Sequence, residues 1–497
     1  MSFYLLAIDQ GTTNSRAIIF DSKGNTLSHH EIDLQQYYPH DAWVEQDPTE
    51  MFDNTVTCCR MALKKANLSA QSIAAVGISN QRETTIIWDK TTGQPIYPAI
   101  VWQDRRTTDL CKLLSQTKVA KMIKEKTGLL LDPYFSATKI IWILNHVDGA
   151  RDKAEKGELL FGTVDTYLLW KLTKGKSHAT DATNASRTLI YNIHQQMWDQ
   201  ELLKEFNIPA NILPAVLDNT AHFGDMDAEI LGHSIPITGM AGDQQAATIG
   251  QACFNPGMIK ATYGTGCFML LNTGSKVIHS QNQLLSTIAY RINNEVTYGL
   301  EGSIFSAGVT VKWLRDKLKI TNSAAETETL ARSVASSEGV YLVPAFTGLG
   351  APYWDPEARG AILGLTSNSS REHIVRAALE SMGYQTCDLL NAMTADYDAG
   401  VTALRVDGGM AANAWLLQFL SDILELEVQR PTCIETTALG AVCLAGLQIG
   451  MYKSLNDICH IWEMSARFNP QMSPLDRDEL YLGWKKAIGR VVSTNIL

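Results

Sequence analysis

A strand-turn-strand pattern with a Gly/Thr tip occurs twice in this chain of 497 residues, first at residues 5–13 and again at residues 259–267. Glycine lets a backbone approach a ligand closely, and Thr hydroxyls with free N–H groups form a concavity that binds anions. A single tip of this kind is more often an ordinary hairpin turn. Two tips that face each other could hold one polyphosphate.

Asp9 strengthens the phosphate interpretation because it lies at the end of the apolar strand that opens the first copy. A carboxylate in a buried strand is costly unless a cation or hydrogen-bond donors face it. An Mg²⁺ ion that accompanies phosphates would satisfy this carboxylate.

The repeated pattern also predicts how the chain is divided. Its length alone suggests two to four domains, and a pattern that restarts at Ile259 favours two. The turn signal Asn255-Pro256-Gly257 places the boundary close to residue 250. We therefore expect an N-terminal domain over residues 1–250 and a C-terminal domain over residues 251–497.

Composition excludes several classes of protein. A hydrophobic content of 45% with 19% charged residues is typical of a globular chain, and no apolar run reaches the roughly 18 residues that a membrane span needs. A formal charge of −10 argues against nucleic-acid binding. No secretory signal is visible at the N-terminus. The nine cysteines are scattered apart from the adjacent pair Cys58-Cys59, so we expect a cytoplasmic protein with reduced thiols.

The secondary-structure pattern is that of an α/β fold. Residues 74–79 and 84–88 are typical of strands, and residues 138–144 fit an amphipathic helix. In the second half, a strand at 403–406 ends in a Gly-Gly turn and precedes a helix at 413–420. This is where α/β folds often bind nucleotides, but a plain strand-helix connection has the same pattern. A further helix of small residues, beginning at Thr436, is interpreted as structural.

Three charged residues could bind or act on a substrate other than the polyphosphate. The pair Arg82-Glu83 combines a five-donor fork with an acceptor-only carboxylate, which suits vicinal hydroxyl groups, although neighbouring charges of this kind are commonly inert surface residues. Asp243 is predicted to lie in a loop that faces the interdomain cleft. There it could accept a proton from an attacking hydroxyl, cap a helix or be a second group linked to Mg²⁺.

The sequence lacks two common ATP-binding motifs. A Walker A loop needs a glycine where this chain has Trp170, five residues before Gly175-Lys176-Ser177. The His-Arg-Asp and Asp-Phe-Gly signatures of protein kinases are absent from the sequence. The duplicated hairpin with a strand-end Asp instead predicts two actin-like ATPase domains, which are ribonuclease H-like, with a cleft between them.

Several sequence blocks resemble the glycerol kinases of the FGGY carbohydrate kinase family, and the resemblance extends from residue 5 to about residue 450. These blocks are residues 9–13, 80–85, 162–166, 242–247, 263–268 and 344–354. The resemblance implies ATP-dependent phosphorylation of glycerol to sn-glycerol 3-phosphate, with Asp243 as the general base. It also makes a homodimer or homotetramer plausible.

The resemblance assigns the remaining site residues. Those implied to bind glycerol are Arg82, Glu83, Trp102, Tyr134, Asp243, Gln244 and Phe268. Those implied to contact ATP or ADP are Thr12, Thr13, Asn14, Arg16, Thr265, Gly266, Gly308, Lys312, Gly409, Met410 and Ala414. Asp9 and Asp243 are expected to hold Mg²⁺ through water. Without the resemblance, Trp102 and Phe268 are more often core residues.

The chain departs from the family pattern at four places. Lys312 and Ala414 stand where the glycerol kinases usually carry Gln and Asn, so nucleotide affinity or preference could differ. Ser234 replaces an Arg that serves inhibition by fructose bisphosphate in some members, and residues 473–477 lack the pattern for contact with a phosphotransferase protein.

Two alternative functions remain open. One is a kinase for another polyol or a pentulose in the same family. The other is an actin-like ATPase, or a silent sugar sensor, that lacks sugar kinase activity.

Overall fold

A computed structural model describes residues 3–493 of the chain. Its strands, in chain order, are β1 (Tyr4–Gln10), β2 (Asn14–Phe20), β3 (Thr26–Asp33), β4 (Glu45–Gln46), β5 (Ile73–Asn80), β6 (Ile86–Asp89), β7 (Ala99–Ile100), β8 (Leu159–Gly162), β9 (Ala179–Asp181), β10 (Tyr191–Asn192), β11 (Met197–Trp198), β12 (Ala215–Leu217), β13 (Thr220–Met226), β14 (Ile235–Gly242), β15 (Met258–Tyr263), β16 (Cys267–Gly274), β17 (Leu285–Ile292), β18 (Glu295–Ile304), β19 (Tyr341–Val343), β20 (Ala361–Leu363), β21 (Ala403–Asp407), β22 (Val428–Pro431) and β23 (Met464–Phe468).

The α-helices alternate with these strands through much of the chain. They are α1 (Pro48–Ala66), α2 (Thr108–Ser115), α3 (Lys118–Thr127), α4 (Ser136–His146), α5 (Ala150–Glu155), α6 (Val164–Leu172), α7 (Ala182–Ala185), α8 (Gln200–Glu205), α9 (Ala228–Leu231), α10 (Asp243–Gly250), α11 (Gly308–Asp316), α12 (Glu326–Arg332), α13 (Arg371–Asp396), α14 (Ala414–Leu424), α15 (Thr436–Gln448), α16 (Leu455–Ile461) and α17 (Pro474–Ile488). Among residues 3–493, no helix combines the length and hydropathy needed to cross a bilayer.

The first large sheet has six strands in the order β13-β14-β5-β1-β2-β3. Strand β5 is parallel to both β1 and β14, whereas β1, β2 and β3 are joined by antiparallel pairing. The apolar run from Leu5 to Ile8 is buried throughout, as expected for a central strand that is covered on both faces. The first predicted hairpin is therefore β1 and β2.

The second large sheet has seven strands in the order β17-β18-β16-β15-β21-β22-β23. Its centre repeats the arrangement of the first sheet, because β15 is antiparallel to β16 and parallel to β21, which is parallel to β22. The second predicted hairpin is β15 and β16. The two sequence signals thus occupy equivalent positions in two sheets of similar topology.

Helix α15 packs against strands β1, β5 and β14 of the first sheet and against α10, although in sequence it lies between β22 and β23 of the second sheet. Small residues make this close approach possible. A Cβ atom at Gly440 would lie 1.8 Å from the Ala246 carbonyl oxygen, and one at Gly250 would lie 1.9 Å from that of Thr436. The structural role predicted for the small-residue helix agrees with this packing.

Gly440→Ala is expected to destabilise the protein by about 1–3 kcal/mol, because the added methyl group must push α10 and α15 apart. The measurement is the midpoint of thermal unfolding. Gly489→Ala is the matched control, since a Cβ at Gly489 would lie 3.3 Å from the Lys485 carbonyl oxygen, its nearest neighbour. Equal midpoints for the two variants would contradict the close packing of these helices.

Candidate active site

Three parallel strands end side by side and bring the predicted site residues together. In the register of the first sheet, Asn80 at the end of β5 is paired with Gln10 of β1 and with Gly242 of β14. The segments that follow these strands carry the first hairpin tip, the Arg82-Glu83 pair and Asp243. Ligands of α/β sheets bind at the carboxyl ends of parallel strands, so this edge is the candidate active site.

Arg82 and Glu83 are buried, with exposed fractions of 3% and 1%, so they are not an inert surface pair. Glu83 has a φ of +62°, a left-handed conformation that costs a non-glycine residue about 1–3 kcal/mol. Such strain persists where the surrounding structure holds it, and it is common at binding sites.

Two arginines and two glutamates form a buried network of alternating charge. Arg82 binds Glu301 through two hydrogen bonds of 2.5 and 3.1 Å. Arg187 donates to Glu83 at 2.6 Å and to Glu301 at 2.9 Å. The network joins the segments after β5 and α7 to strand β18, and so connects the two large sheets at the site.

Burial and charge act in opposite directions on the pKa values of this network. Burial alone would raise the pKa of Glu301, but the charges of Arg187 and Arg82 lower it to about 2. For Glu83, burial prevails over Arg187 and Arg82, and its pKa is raised. Glu301 is therefore the firmly ionised anchor for both arginines.

Asp243 is the first residue of helix α10, and the prediction that it lies in a loop is wrong. The residue at the cap position is Gly242, so Asp243 is not the N-cap either. Its Oδ1 lies 3.1 Å from Nε of Arg82 and accepts a hydrogen bond of 2.7 Å from the backbone N–H of Gln244. Burial raises the pKa of Asp243 against the opposing charges of Arg82 and Lys260, while 30% of the side chain remains exposed. A carboxylate that is reachable and has a raised pKa can accept a proton.

Three aromatic rings form one wall beside the charged network. The ring of Trp102 lies 5.5 Å from that of Tyr134 and 6.1 Å from that of Phe268, both edge to face. All three residues are only half-buried, so they are not simply core residues. The Arg82 guanidinium lies 5.9 Å from the centroid of the Phe268 ring.

The aromatic wall is connected directly to the first hairpin tip, because Nε1 of Trp102 donates a hydrogen bond of 2.9 Å to Oγ1 of Thr12. Thr13 is exposed, and Asn14 begins β2 with its amide 3.5 Å from Glu31. The predicted phosphate tip and the predicted polyol wall are therefore adjacent.

Asp9 and Arg16 form an ion pair of 2.5 Å, and Ser79 donates a further hydrogen bond of 2.9 Å to Asp9. Arg16 also contacts Glu435 at 2.8 Å, and the charge of Asp9 raises the pKa of its guanidinium. Two carboxylates thus share the charge of Arg16. This pairing was not predicted from the sequence.

The second hairpin tip lies against the start of α11. The N–H of Gly308 donates to the Gly264 carbonyl oxygen at 3.0 Å, and those of Ala307 and Val309 donate to Thr265. A Cβ at Gly308 would approach Gly264 and Met410, which explains the glycine.

The remaining residues predicted to contact nucleotide lie in the tip itself and on neighbouring elements of the second half. Gly266 follows Thr265 in the turn, and Gly409 and Met410 begin the short 3₁₀ turn Gly409–Ala412 after β21. The Ala414 amide donates to Glu328 at 3.1 Å, and Lys312 is exposed on α11. The structure brings Thr265, Gly266, Gly308 and Met410 together, and Lys312 follows Gly308 by one turn of α11 with its side chain exposed.

The Asp9 carboxylate is the group near the first tip that could serve an Mg²⁺ ion arriving with a nucleotide, because Mg²⁺ binds oxygen ligands. Among residues 3–493, no three His, Cys, Asp or Glu side chains are grouped as a ready metal site. Both oxygens of Asp9 already accept a hydrogen bond, so binding through water fits its surroundings better than direct coordination.

The model of the FGGY family of carbohydrate kinases matches almost the whole chain. Its N-terminal domain matches residues 4–250, and its C-terminal domain matches residues 259–449. The chain belongs to the FGGY family of carbohydrate kinases. A glycerol kinase of Coxiella burnetii is 60% identical over 99% of this chain and 98% of its own length, and one of Ectopseudomonas mendocina is 58% identical over 99% and 100%.

Solved structures of other kinases have the same fold as this FGGY kinase. The crystal structure of Plasmodium falciparum glycerol kinase with ADP superposes with a TM-score of 0.93 at 38% identity, covering 99% of each chain. A gluconate kinase from Lactobacillus acidophilus has a TM-score of 0.89 at 20% identity, which shows the fold alone. The predicted α/β fold of two actin-like domains is confirmed.

Three buried charges of this FGGY kinase were not predicted from its sequence, namely Arg187, Lys260 and Glu301. Lys260 and Glu301 lie inside strands β15 and β18, and Arg187 follows α7. A charged residue within a continuous apolar strand is unusual, because strand interiors rarely accept an unpaired charge. That signal is present at Lys260, whereas Glu301 lies among glycine and polar residues of β18, and neither sequence reveals what the charged residue contacts.

Proposed function

We propose that this FGGY kinase transfers the γ-phosphoryl group of ATP to glycerol, forming sn-glycerol 3-phosphate and ADP. The observation that carries the proposal is the buried Arg82-Glu83 pair, which lies beside Asp243 and the aromatic wall and is next to the first hairpin tip. The full-length glycerol kinases at 58–60% identity support the same substrate.

The polyol would be bound by complementary hydrogen bonds and apolar contact. Arg82 donates and Glu83 accepts, which matches hydroxyl groups that do both. Trp102, Tyr134 and Phe268 would cover the carbon chain, and Gln244 would add an amide contact. Because Glu301 and Arg187 fix the charged pair, this pocket is organised before substrate enters.

Asp243 is proposed as the general base. Its carboxylate would accept the proton of the attacking hydroxyl and orient the oxygen for in-line attack. The nearby Arg82 keeps the carboxylate in place at 3.1 Å. Phosphoryl transfer has a loose transition state, so positioning and charge compensation account for most of the catalysis.

The two hairpin tips would hold the phosphates of ATP from opposite sides. Thr12, Thr13 and Asn14 would contribute from the first tip, and Thr265 and Gly266 from the second. Mg²⁺ bound with ATP would neutralise charge on the β- and γ-phosphates. Asp9 and Asp243 would hold its water ligands.

The nucleoside would lie toward the second sheet. Gly308, Gly409 and Met410 are proposed adenosine contacts, with Lys312 and Ala414 at the periphery. We further propose domains at residues 1–250 and 251–497 that close over the substrates and exclude water, a homodimer or homotetramer, and a cytoplasmic location.

A comparison of substrates tests this proposal. We expect kcat/KM for glycerol to exceed that for xylulose or ribulose by at least about a hundredfold, because a pocket that pairs with specific hydroxyls rejects poor matches. The measurement is ADP formation with each substrate at a fixed ATP concentration. Higher kcat/KM for a pentulose would favour the rival kinase of the same family.

A further inference from the structure

A fully buried lysine joins the start of helix α10 to the second hairpin. Lys260 lies in the middle of β15, and its side chain is 0% exposed. Its ammonium group donates hydrogen bonds to Oε1 of Gln244, to Oγ1 of Thr262 at 3.0 Å and to the Phe268 carbonyl oxygen at 3.4 Å. One side chain therefore contacts both the residue after Asp243 and the two strands that carry the second tip.

All three acceptors of Lys260 are neutral. Within the described residues, no Asp or Glu oxygen lies within 4.0 Å of its ammonium nitrogen. The charged groups that face it at longer range are Asp407, Asp243, Glu301 and Arg82. Burial lowers the pKa of Lys260, and the acidic groups oppose this change.

A buried ammonium without a contacting carboxylate is costly, and an apolar side chain of similar volume often serves stability as well or better. Stability therefore gives a weak reason for a lysine at this position. The three hydrogen bonds give a stronger one, because they fix Gln244, Thr262 and Phe268 relative to one another.

We propose that Lys260 is a positioning residue that aligns the glycerol side of the site with the phosphate side. This inference rests on the proposed function. Gln244 lies next to the proposed base, and β15 and β16 lead to the tip with Thr265 and Gly266. Phosphoryl transfer is sensitive to such alignment, since a misplacement of about 1 Å can lower the rate roughly a hundredfold.

Lys260→Met tests the role by separating rate from binding. We expect kcat to fall on the order of tenfold to a hundredfold. The KM values for glycerol and ATP should change by less than about threefold, because each substrate keeps its own contacts. Lys276→Met, at an exposed position after β16, is the matched control and should retain wild-type kinetics. A Lys260→Met enzyme with unchanged kcat would overturn the proposal.

A double-mutant cycle distinguishes positioning from general support of the fold. If Lys260 acts through Gln244, adding Lys260→Met to Gln244→Met should cause little further loss of kcat. Fully additive losses would mean that Lys260 does not act through Gln244, and the proposed alignment of the glycerol side by Lys260 would then be wrong. If Lys260→Met does not fold, Thr262→Val can replace it, because this variant removes only one acceptor of Lys260. We then expect a smaller loss of kcat, and a kcat equal to wild type would overturn the proposal.

Failure of this inference can be told apart from failure of the proposed function. An active wild-type enzyme with a fully active Lys260→Met variant removes only the role of Lys260. A wild-type protein that forms no glycerol phosphate removes both.

Discussion

Asp243→Asn is expected to lower kcat for glycerol phosphorylation by about a hundredfold or more, because an amide cannot accept the proton of the attacking hydroxyl. The substitution preserves size and leaves Arg82, Glu83 and the aromatic wall in place. The KM for glycerol should therefore change only a few-fold. Steady-state kinetics with glycerol and ATP each varied provide the measurement.

Two comparisons make this result specific. Asp225→Asn, at an exposed position on β13, should retain wild-type kcat. Raising the Mg²⁺ concentration should not restore the Asp243→Asn enzyme, whereas it should if the carboxylate served mainly to hold a metal ion. Near-normal kcat in the Asn variant would remove Asp243 from the role of base.

Glu301→Gln is expected to weaken both the fold and the polyol pocket. Two buried arginines share this carboxylate at 2.5–3.1 Å, and its removal leaves their charges poorly compensated. Breaking a buried ion pair commonly costs about 3–5 kcal/mol. We expect the thermal midpoint to fall by on the order of 10 °C. The KM for glycerol should rise by about tenfold or more, because Arg82 loses its anchor.

The matched control for this substitution lies on the same strand. Glu295→Gln changes an exposed residue at the start of β18 and should alter neither the thermal midpoint nor KM. If Glu301→Gln retained the wild-type KM for glycerol, Arg82 would not depend on the carboxylate, and the proposed organisation of the pocket would be wrong.

Local sequence was sufficient to predict the hairpins because their signals are contiguous. The apolar run before Asp9 and the Gly/Thr tips are each encoded within about ten residues, and the structure places them in equivalent strands of the two sheets. The strand predicted at residues 84–88 begins at Ile86, and the helix predicted at 413–420 is α14, with Asn413 as its cap.

The charge network could not be predicted, because it depends on contacts between distant parts of the chain. Arg82 and Glu301 are 219 residues apart, and Arg187 and Glu83 are 104 apart. Sequence shows neither that these groups are buried nor which partner each one has. The hydrogen bonds of Lys260 could not be predicted for the same reason, since one acceptor belongs to α10 and the others to the second hairpin. The resemblance to the family assigned Arg82 and Glu83, but it did not include the residues that hold them.

The most direct test of the central claim is the joint measurement of ADP and sn-glycerol 3-phosphate after mixing the enzyme with glycerol, ATP and Mg²⁺. We expect the two products in equal amounts, with ADP formation that depends on glycerol, since closure over the substrates should exclude water from the phosphoryl group. Slow ADP release that is independent of glycerol, without glycerol phosphate, would contradict the proposal and identify the chain as an actin-like ATPase without polyol kinase activity.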